Sequence, residues 1–311
     1  MNEMLMLAGG AAGLALLYFG ADWLVRGGGA IAARARVSPL VVGLTLVAFG
    51  TSAPELFVSA GAAVAGLGDI CVGNVVGSNT CNIALILGIT ALVKPVEVNP
   101  ALFRRDMPTM ILASVAVTAL CRATGGIGKV AGVLFLAALV AYTWHGIASS
   151  RKTAAPQGAE PTMGRGAAFA LTVGGLAALV VGAKLILAGA VAIEKGLGVP
   201  DEFVALTVVA VGTSLPELAT SVVAARKGEA DIAIGNVVGS NIFNILGILG
   251  FSALLRPVAI EGMDGVDFAL MIGTAVVLWP LMKARGRLGR FEGVLLLAIY
   301  AGYLAWLIRT M

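Results

Sequence analysis

Polar residues are few along this chain. Between them run apolar stretches long enough to cross a lipid bilayer as helices, which takes about 20 residues each. Ten such stretches are expected, at approximately 4–25, 38–65, 70–92, 106–121, 127–148, 165–189, 201–225, 231–253, 266–282 and 291–308. One segment alone reads as a polar linker, 149–164, running from Ser149-Ser150-Arg151-Lys152 through Pro156, Gly158, Glu160, Pro161 and Gly164. It leaves five apolar stretches in residues 1–148 and five in residues 165–311.

The polar residues inside this pattern recur. Gly50-Thr51-Ser52-Ala53-Pro54-Glu55 returns as Gly212-Thr213-Ser214-Leu215-Pro216-Glu217, and Gly73-Asn74-Val75-Val76-Gly77-Ser78-Asn79 with Asn82 returns as Gly235-Asn236-Val237-Val238-Gly239-Ser240-Asn241 with Asn244. The offset is 162 residues throughout, and aligning 41–98 with 203–260 gives 33 identities in 58 positions. That is more than a shared apolar bias produces, and it marks an internal duplication. Five spans is an odd number, so the second copy must enter the membrane from the opposite side. The expected fold is an all-α membrane protein with ten transmembrane helices, in two inverted five-helix repeats with interrupted helices at the midplane.

Composition agrees. With 59% hydrophobic and 12% charged residues and a mean hydropathy of +0.97, the chain is unlike a soluble domain. The pI of about 9.1 raises the question of nucleic acid, but the basic residues fall in short loops rather than on one face, so no nucleic-acid partner is expected. With the N-terminus outside, 15 of the 21 Lys and Arg residues lie in cytoplasmic loops, and the positive-inside rule puts both termini outside. Glu3 precedes the first span and no basic residue does, so that span is expected to be retained rather than cleaved as a signal peptide. Cys71, Cys81 and Cys121 have no metal-ligand spacing and read as small apolar fillers.

The doubled motifs suggest chemistry. Proline lacks an N–H and clashes with the carbonyl four residues back, so Pro54 and Pro216 are expected to free the carbonyls of Gly50 and Gly212 one turn from Glu55 and Glu217. Free carbonyls at membrane depth survive only where protein or a wet cavity covers them. Thr51 and Glu55 share a helix face, as do Thr213 and Glu217, Ser78 and Asn82, and Ser240 and Asn244. Gly73 with Gly77, and Gly235 with Gly239, form seams that let helices approach closely. Such an oxygen-rich site suits a hard cation, and two ionised carboxylates match one Ca2+. Without a counter-ion the pair cannot both stay ionised in a low dielectric, so Ca2+, monovalent cations or protons must alternate there.

The blocks GTSAPE and GTSLPE, each followed by GNVVGSN, resemble the alpha repeats of the calcium/cation antiporter superfamily, in particular the prokaryotic sodium/calcium exchangers. The resemblance implies that Glu55 and Glu217 coordinate calcium, with main-chain oxygens of Thr51 and Thr213 completing that site. It assigns Ser52, Ser214, Ser78, Ser240 and the carbonyls of Ala48 and Ala210 to flanking sodium sites. Asn82 matches the family's central amide, whereas Asn244 stands where exchangers carry an aspartate. The first and sixth spans become candidates for the moving element.

The implied function is Ca2+/Na+ antiport by alternating access in a prokaryotic plasma membrane, with Ca2+ and Na+ as cargo, no resident cofactor and no obligate protein partner. Ca2+/H+ exchange is the alternative reading, with a membrane-embedded enzyme or a channel behind it. Asp22 and Lys184 align across the repeats, but inversion sets them at opposite ends of the membrane, and Lys184 is expected to snorkel. His145 beside Trp144 suits the headgroup region. Asp69 and Asp231 are expected to cap the helices they open.

Overall fold

The computed structural model describes residues 3–153, 163–196 and 210–310, and these are helical nearly throughout. In chain order the helices are α1 Glu3–Ala35, α2 Pro39–Thr51, α3 Ala53–Ala65, α4 Gly68–Val93, α5 Leu102–Thr124, α6 Lys129–Thr153, α7 Arg165–Gly196, α8 Ala210–Thr213, α9 Leu215–Lys227, α10 Ala230–Leu255, α11 Gly265–Arg285 and α12 Arg290–Thr310. Among the described residues seven helices are long and apolar enough to cross a membrane, or eight if α2 and α3 make one bent span. Residues 201–209, the start of the expected seventh span, lie outside the described residues.

The expected interruption is present, two residues ahead of the proline. Helix α2 ends at Thr51, Ser52 leaves helical geometry at φ −79° and ψ 11°, and α3 then runs off at 51° to α2. Ser214 makes the matching break at φ −88° and ψ 6° between α8 and α9. Pro54 and Pro216 thus occupy the first turn of a new helix, where the missing N–H has no helical partner to lose. The two half-helices also stop alike, at Gly66 (φ 82°) and Gly228 (φ 86°), a left-handed geometry that glycine adopts without steric penalty. Among the described residues four π-helical turns, at Gly43–Val47, Cys81–Leu87, Leu102–Asp106 and Asn244–Leu249, had no counterpart in the sequence reading.

Helices α4 and α10 form the centre, with 78% and 83% of their most apolar windows buried, against 22% for α6 and α12 at the periphery. The Gly235/Gly239 seam is realised: a Cβ on Gly235 would lie 2.8 Å from the Leu40 carbonyl, and one on Gly239 would lie 2.5 Å from that of Leu44. For Gly73 and Gly77 nothing lies within 4 Å among the described residues, and their expected counterpart strip on 202–206 falls outside them. A second seam joins α1 to α7, where Gly13, Gly20 and Gly27 oppose Gly182, Gly175 and Ala168 backbone to backbone.

Two short antiparallel ladders tie the halves together. Strand β1 (Val96–Glu97) pairs with β4 (Arg287–Leu288), and β2 (Gly126–Ile127) pairs with β3 (Val258–Ala259). They flank α5, whose 23 residues span roughly 35 Å, so the ladders sit at opposite ends of the bundle. The same exchange recurs in side chains. Arg256 Nη1 donates to the Val64 carbonyl at 3.1 Å, and Lys94 Nζ to that of Arg226 at 3.4 Å, each reaching the last turn of the other half's broken helix. Asp69 and Asp231 do not make the expected capping bonds, because they lie within the first turn, behind the N-cap residues Leu67 and Glu229; Asp69 accepts from the amides of Glu261 and Gly262, and Asp231 from Asn99 Nδ2.

Candidate functional site

The breaks at Ser52 and Ser214 put the start of α3 against the start of α9, and each half supplies a hydroxyl to the other's carboxylate. Ser52 Oγ donates to Glu217 Oε1 at 2.8 Å and Ser214 Oγ donates to Glu55 Oε1 at 3.0 Å. Glu55 is 1% exposed and Glu217 fully buried. The ion pairs found among the described residues, Asp22 with Arg26 and Lys227, Arg105 with Asp106, and Arg285 with Glu292, all lie elsewhere.

The glycine-asparagine blocks on α4 and α10 enclose this pair. Asn74 Nδ2 donates to the Glu55 carbonyl (3.3 Å) and to Ser59 Oγ (2.9 Å), and Asn236 Nδ2 repeats both bonds with Glu217 (3.2 Å) and Ser221 (2.9 Å). Thr51 Oγ1 donates to the Ala48 carbonyl at 3.2 Å and meets Asn236 Oδ1 at 3.1 Å, while Ser240 Oγ donates to the same Ala48 carbonyl at 3.4 Å. Asn82 is the second residue of the Cys81–Leu87 π-helical turn and Asn244 the first of Asn244–Leu249, Asn82 bonded to Asn241 and Asn244 to Asn79, each at 3.0 Å. Thr213 is buried beside the break, and Ala210 opens α8.

Five buried oxygens of these motif residues have no hydrogen-bond partner among the described residues: Glu55 Oε2, Glu217 Oε2, Asn82 Oδ1, Asn244 Oδ1 and Ser78 Oγ. Buried polar atoms are nearly always paired, because each orphan carries an uncompensated desolvation penalty. Four of the five, all but the serine hydroxyl, can only accept, and the set matches the carboxylate, amide and hydroxyl oxygens that hard cations take. Among the described residues no group of three or more His, Cys, Asp or Glu could hold a metal, so two carboxylates are the whole anionic complement here.

The sodium/calcium exchanger protein model matches residues 5–147 and again 167–309. The chain belongs to that family. It is similar to CaxA of Alkalimonas amylolytica, 39% identical over 302 residues and covering 94% of this chain and 95% of that one. The sodium/calcium exchanger MaX1 of Methanosarcina acetivorans is 34% identical, with 94% and 95% covered. Among solved structures, the sodium-calcium exchanger NCX_Mj matches with a TM-score of 0.85 at 33% identity over 97% of this chain and 98% of that one. The expected resemblance is thus met, and the chain is an integral membrane protein of the calcium/cation antiporters.

Of the residues assigned from the sequence, Glu55, Glu217, Thr51, Ser52, Ser214, Ser240 and the Ala48 carbonyl are bonded around the two breaks, Asn82 and Asn244 join Asn241 and Asn79, and Ser78 is buried on α4. The sequence reading missed Asn74, Asn79, Asn236 and Asn241, which bond to the assigned residues or their main chain. Ser59 and Ser221 were missed as well. All six recur at the 162-residue offset, so the doubling that revealed the glutamates could have revealed them too.

Proposed function

We propose that the chain exchanges Ca2+ for Na+ by alternating access through a single site shared by its two halves. The observation that carries this reading is the set of five buried oxygens, two of them on the glutamates, that have no hydrogen-bond partner among the described residues, where neither carboxylate has a basic partner either. Glu55 and Glu217, with the main-chain oxygens of Thr51 and Thr213, take the calcium ion. Ser52, Ser214, Ser78, Ser240, Asn82, Asn244 and the carbonyls of Ala48 and Ala210 serve sodium or sites shared by both cations. Family membership and the named exchangers MaX1 and NCX_Mj support this choice of cargo.

The same reading gives ten spans: the eight apolar helices, α1, and the segment ending in α9. Residues 1–148 and 165–311 form inverted repeats around motif regions 41–98 and 203–260, with 149–164 as the cytoplasmic linker and both termini outside. The paired ladders at opposite ends of α5 and the reciprocal Lys94 and Arg256 bonds support inversion, since each contact of one end is repeated at the other with the halves exchanged. Helices α1 and α7, packed as a glycine-lined pair, are the moving element. A relative named inner membrane protein YrbG, from Escherichia coli, is 34% identical over 308 residues and supports placement in a prokaryotic plasma membrane.

In everted vesicles an imposed Na+ gradient, at fixed pH with protonophore present, should drive Ca2+ uptake. Glu55→Gln or Glu217→Gln should each abolish it, and uptake at the wild-type rate in either variant would sink the site assignment. Uptake that follows a proton gradient and ignores Na+ would replace sodium by protons as the driving ion.

A further inference from the structure

An asparagine beside a cation site has an oxygen and a nitrogen at equal reach, and only the oxygen can bind the ion. Something must choose between them. For Asn82 and Asn244 the choice is made by the opposite half of the molecule. Asn241 Nδ2 donates to the main-chain carbonyl of Asn79 at 3.3 Å, and a carbonyl can only accept, so the Asn241 amide has one orientation and turns its Oδ1 toward Asn82. Asn82 must then donate through Nδ2, which leaves its own Oδ1 buried and unpartnered. The mirror chain runs the same way: Asn79 Nδ2 donates to the Asn241 carbonyl at 3.2 Å, its Oδ1 accepts from Asn244 Nδ2, and Asn244 Oδ1 is left free.

We propose that Asn79 and Asn241 are positioning residues for cation binding, each fixing the amide of the opposite repeat so that its oxygen faces the ion. This rests on the cation-site reading above. Asn79 and Asn241 are at most 1% exposed, and in both amides the nitrogen already donates to a main-chain carbonyl and the oxygen already accepts from the opposite asparagine, which fixes their orientation. Residues that orient metal ligands in this way typically alter metal affinity by about 10- to 100-fold when replaced. The network also explains why an amide suits position 244 in this chain: an aspartate there would have no N–H to offer Asn79 Oδ1.

The test uses the full-length protein in liposomes, with Na+-driven Ca2+ uptake titrated for KM and Vmax and Ca2+ binding measured by calorimetry. Asn241→Ala releases the Asn82 amide, and the apparent KM for Ca2+ should rise about 10-fold or more while Vmax at saturating Ca2+ changes less. Asn82→Asp should weaken binding in the wild-type background, where it sets a carboxylate against Asn241 Oδ1. In the Asn241→Ala background it should restore affinity, because a carboxylate presents an oxygen in either rotation. A residue with only a packing role gives no such reversal of sign. If Asn241→Ala does not fold, Asn79→Ala with Asn244→Asp gives the mirror experiment. An unchanged KM in the alanine variant, or the same effect of the aspartate in both backgrounds, overturns the positioning role. Absence of exchange in the wild type overturns the cation-site reading instead.

Discussion

Each carboxylate of the site is steadied by a hydroxyl from the other half, and that makes the serines testable one atom at a time. Ser52→Ala leaves Glu217 Oε1 without its 2.8 Å donor, and Ser214→Ala does the same to Glu55. A buried acceptor deprived of its partner costs about 1–3 kcal/mol. Melting in detergent without Ca2+ should therefore show both variants destabilised by similar amounts. Added Ca2+ should stabilise them more than it stabilises the wild type, because the ion occupies the orphaned oxygen. The glutamates and serines were legible in the sequence because a carboxylate is unfavourable inside an apolar helix, and here it recurs in both halves within the same polar motif. Asn79 and Asn241 recur in the same way, but what they bond to was not legible, since their partners lie some 160 positions away. The π-helical turns were equally hidden: nothing in Cys81–Leu87 or Asn244–Leu249 distinguishes them from ordinary helix.

Of the ten expected stretches, those that became helices long and apolar enough to cross agree most closely in α4 and α10, where the expected 70–92 and 231–253 became Gly68–Val93 and Ala230–Leu255. Helix α1 was the exception, running on to Ala35 past Arg26 and Arg34, because hydropathy marks where lipid ends and not where a helix must. What faces what was harder to read, since close approach depends on both partners. The α1–α7 contact shows this. A methyl group on Gly20 would lie 2.9 Å from the Gly175 carbonyl, whereas one on Gly29 would meet nothing within 4 Å among the described residues. Gly20→Ala should therefore lower thermal stability by about 1–3 kcal/mol. Gly29→Ala should leave it unchanged or raise it by up to about 1 kcal/mol through helix propensity. Equal effects from the two would mean that α1 and α7 do not touch along this line.

The molecule as a whole is nearly symmetric, which gives its asymmetries weight. Asp22 on α1 pairs with Lys227 at the end of α9, while the positions equivalent by repeat, Lys184 and Ala65, cannot pair. One end of the bundle therefore holds α1 by a charge that the other end lacks. The pair is partly exposed, so it is worth at most about 1 kcal/mol, roughly a fivefold bias between two access states. Lys227→Met should relax that bias and shift the apparent Ca2+ affinities measured in everted and right-side-out vesicles in opposite directions; parallel shifts would assign the pair to stability alone. The two-residue ladders could not have been read from sequence, as neither strand carries a β pattern of its own. Their pairing has a further consequence: among the described residues β1 and β3 pair only with strands of the opposite half. Neither half is a self-sufficient unit. Yet these ladders are made by residues outside 149–164, so two separate polypeptides, cut within that stretch and made in one cell, should find each other and restore transport by complementation.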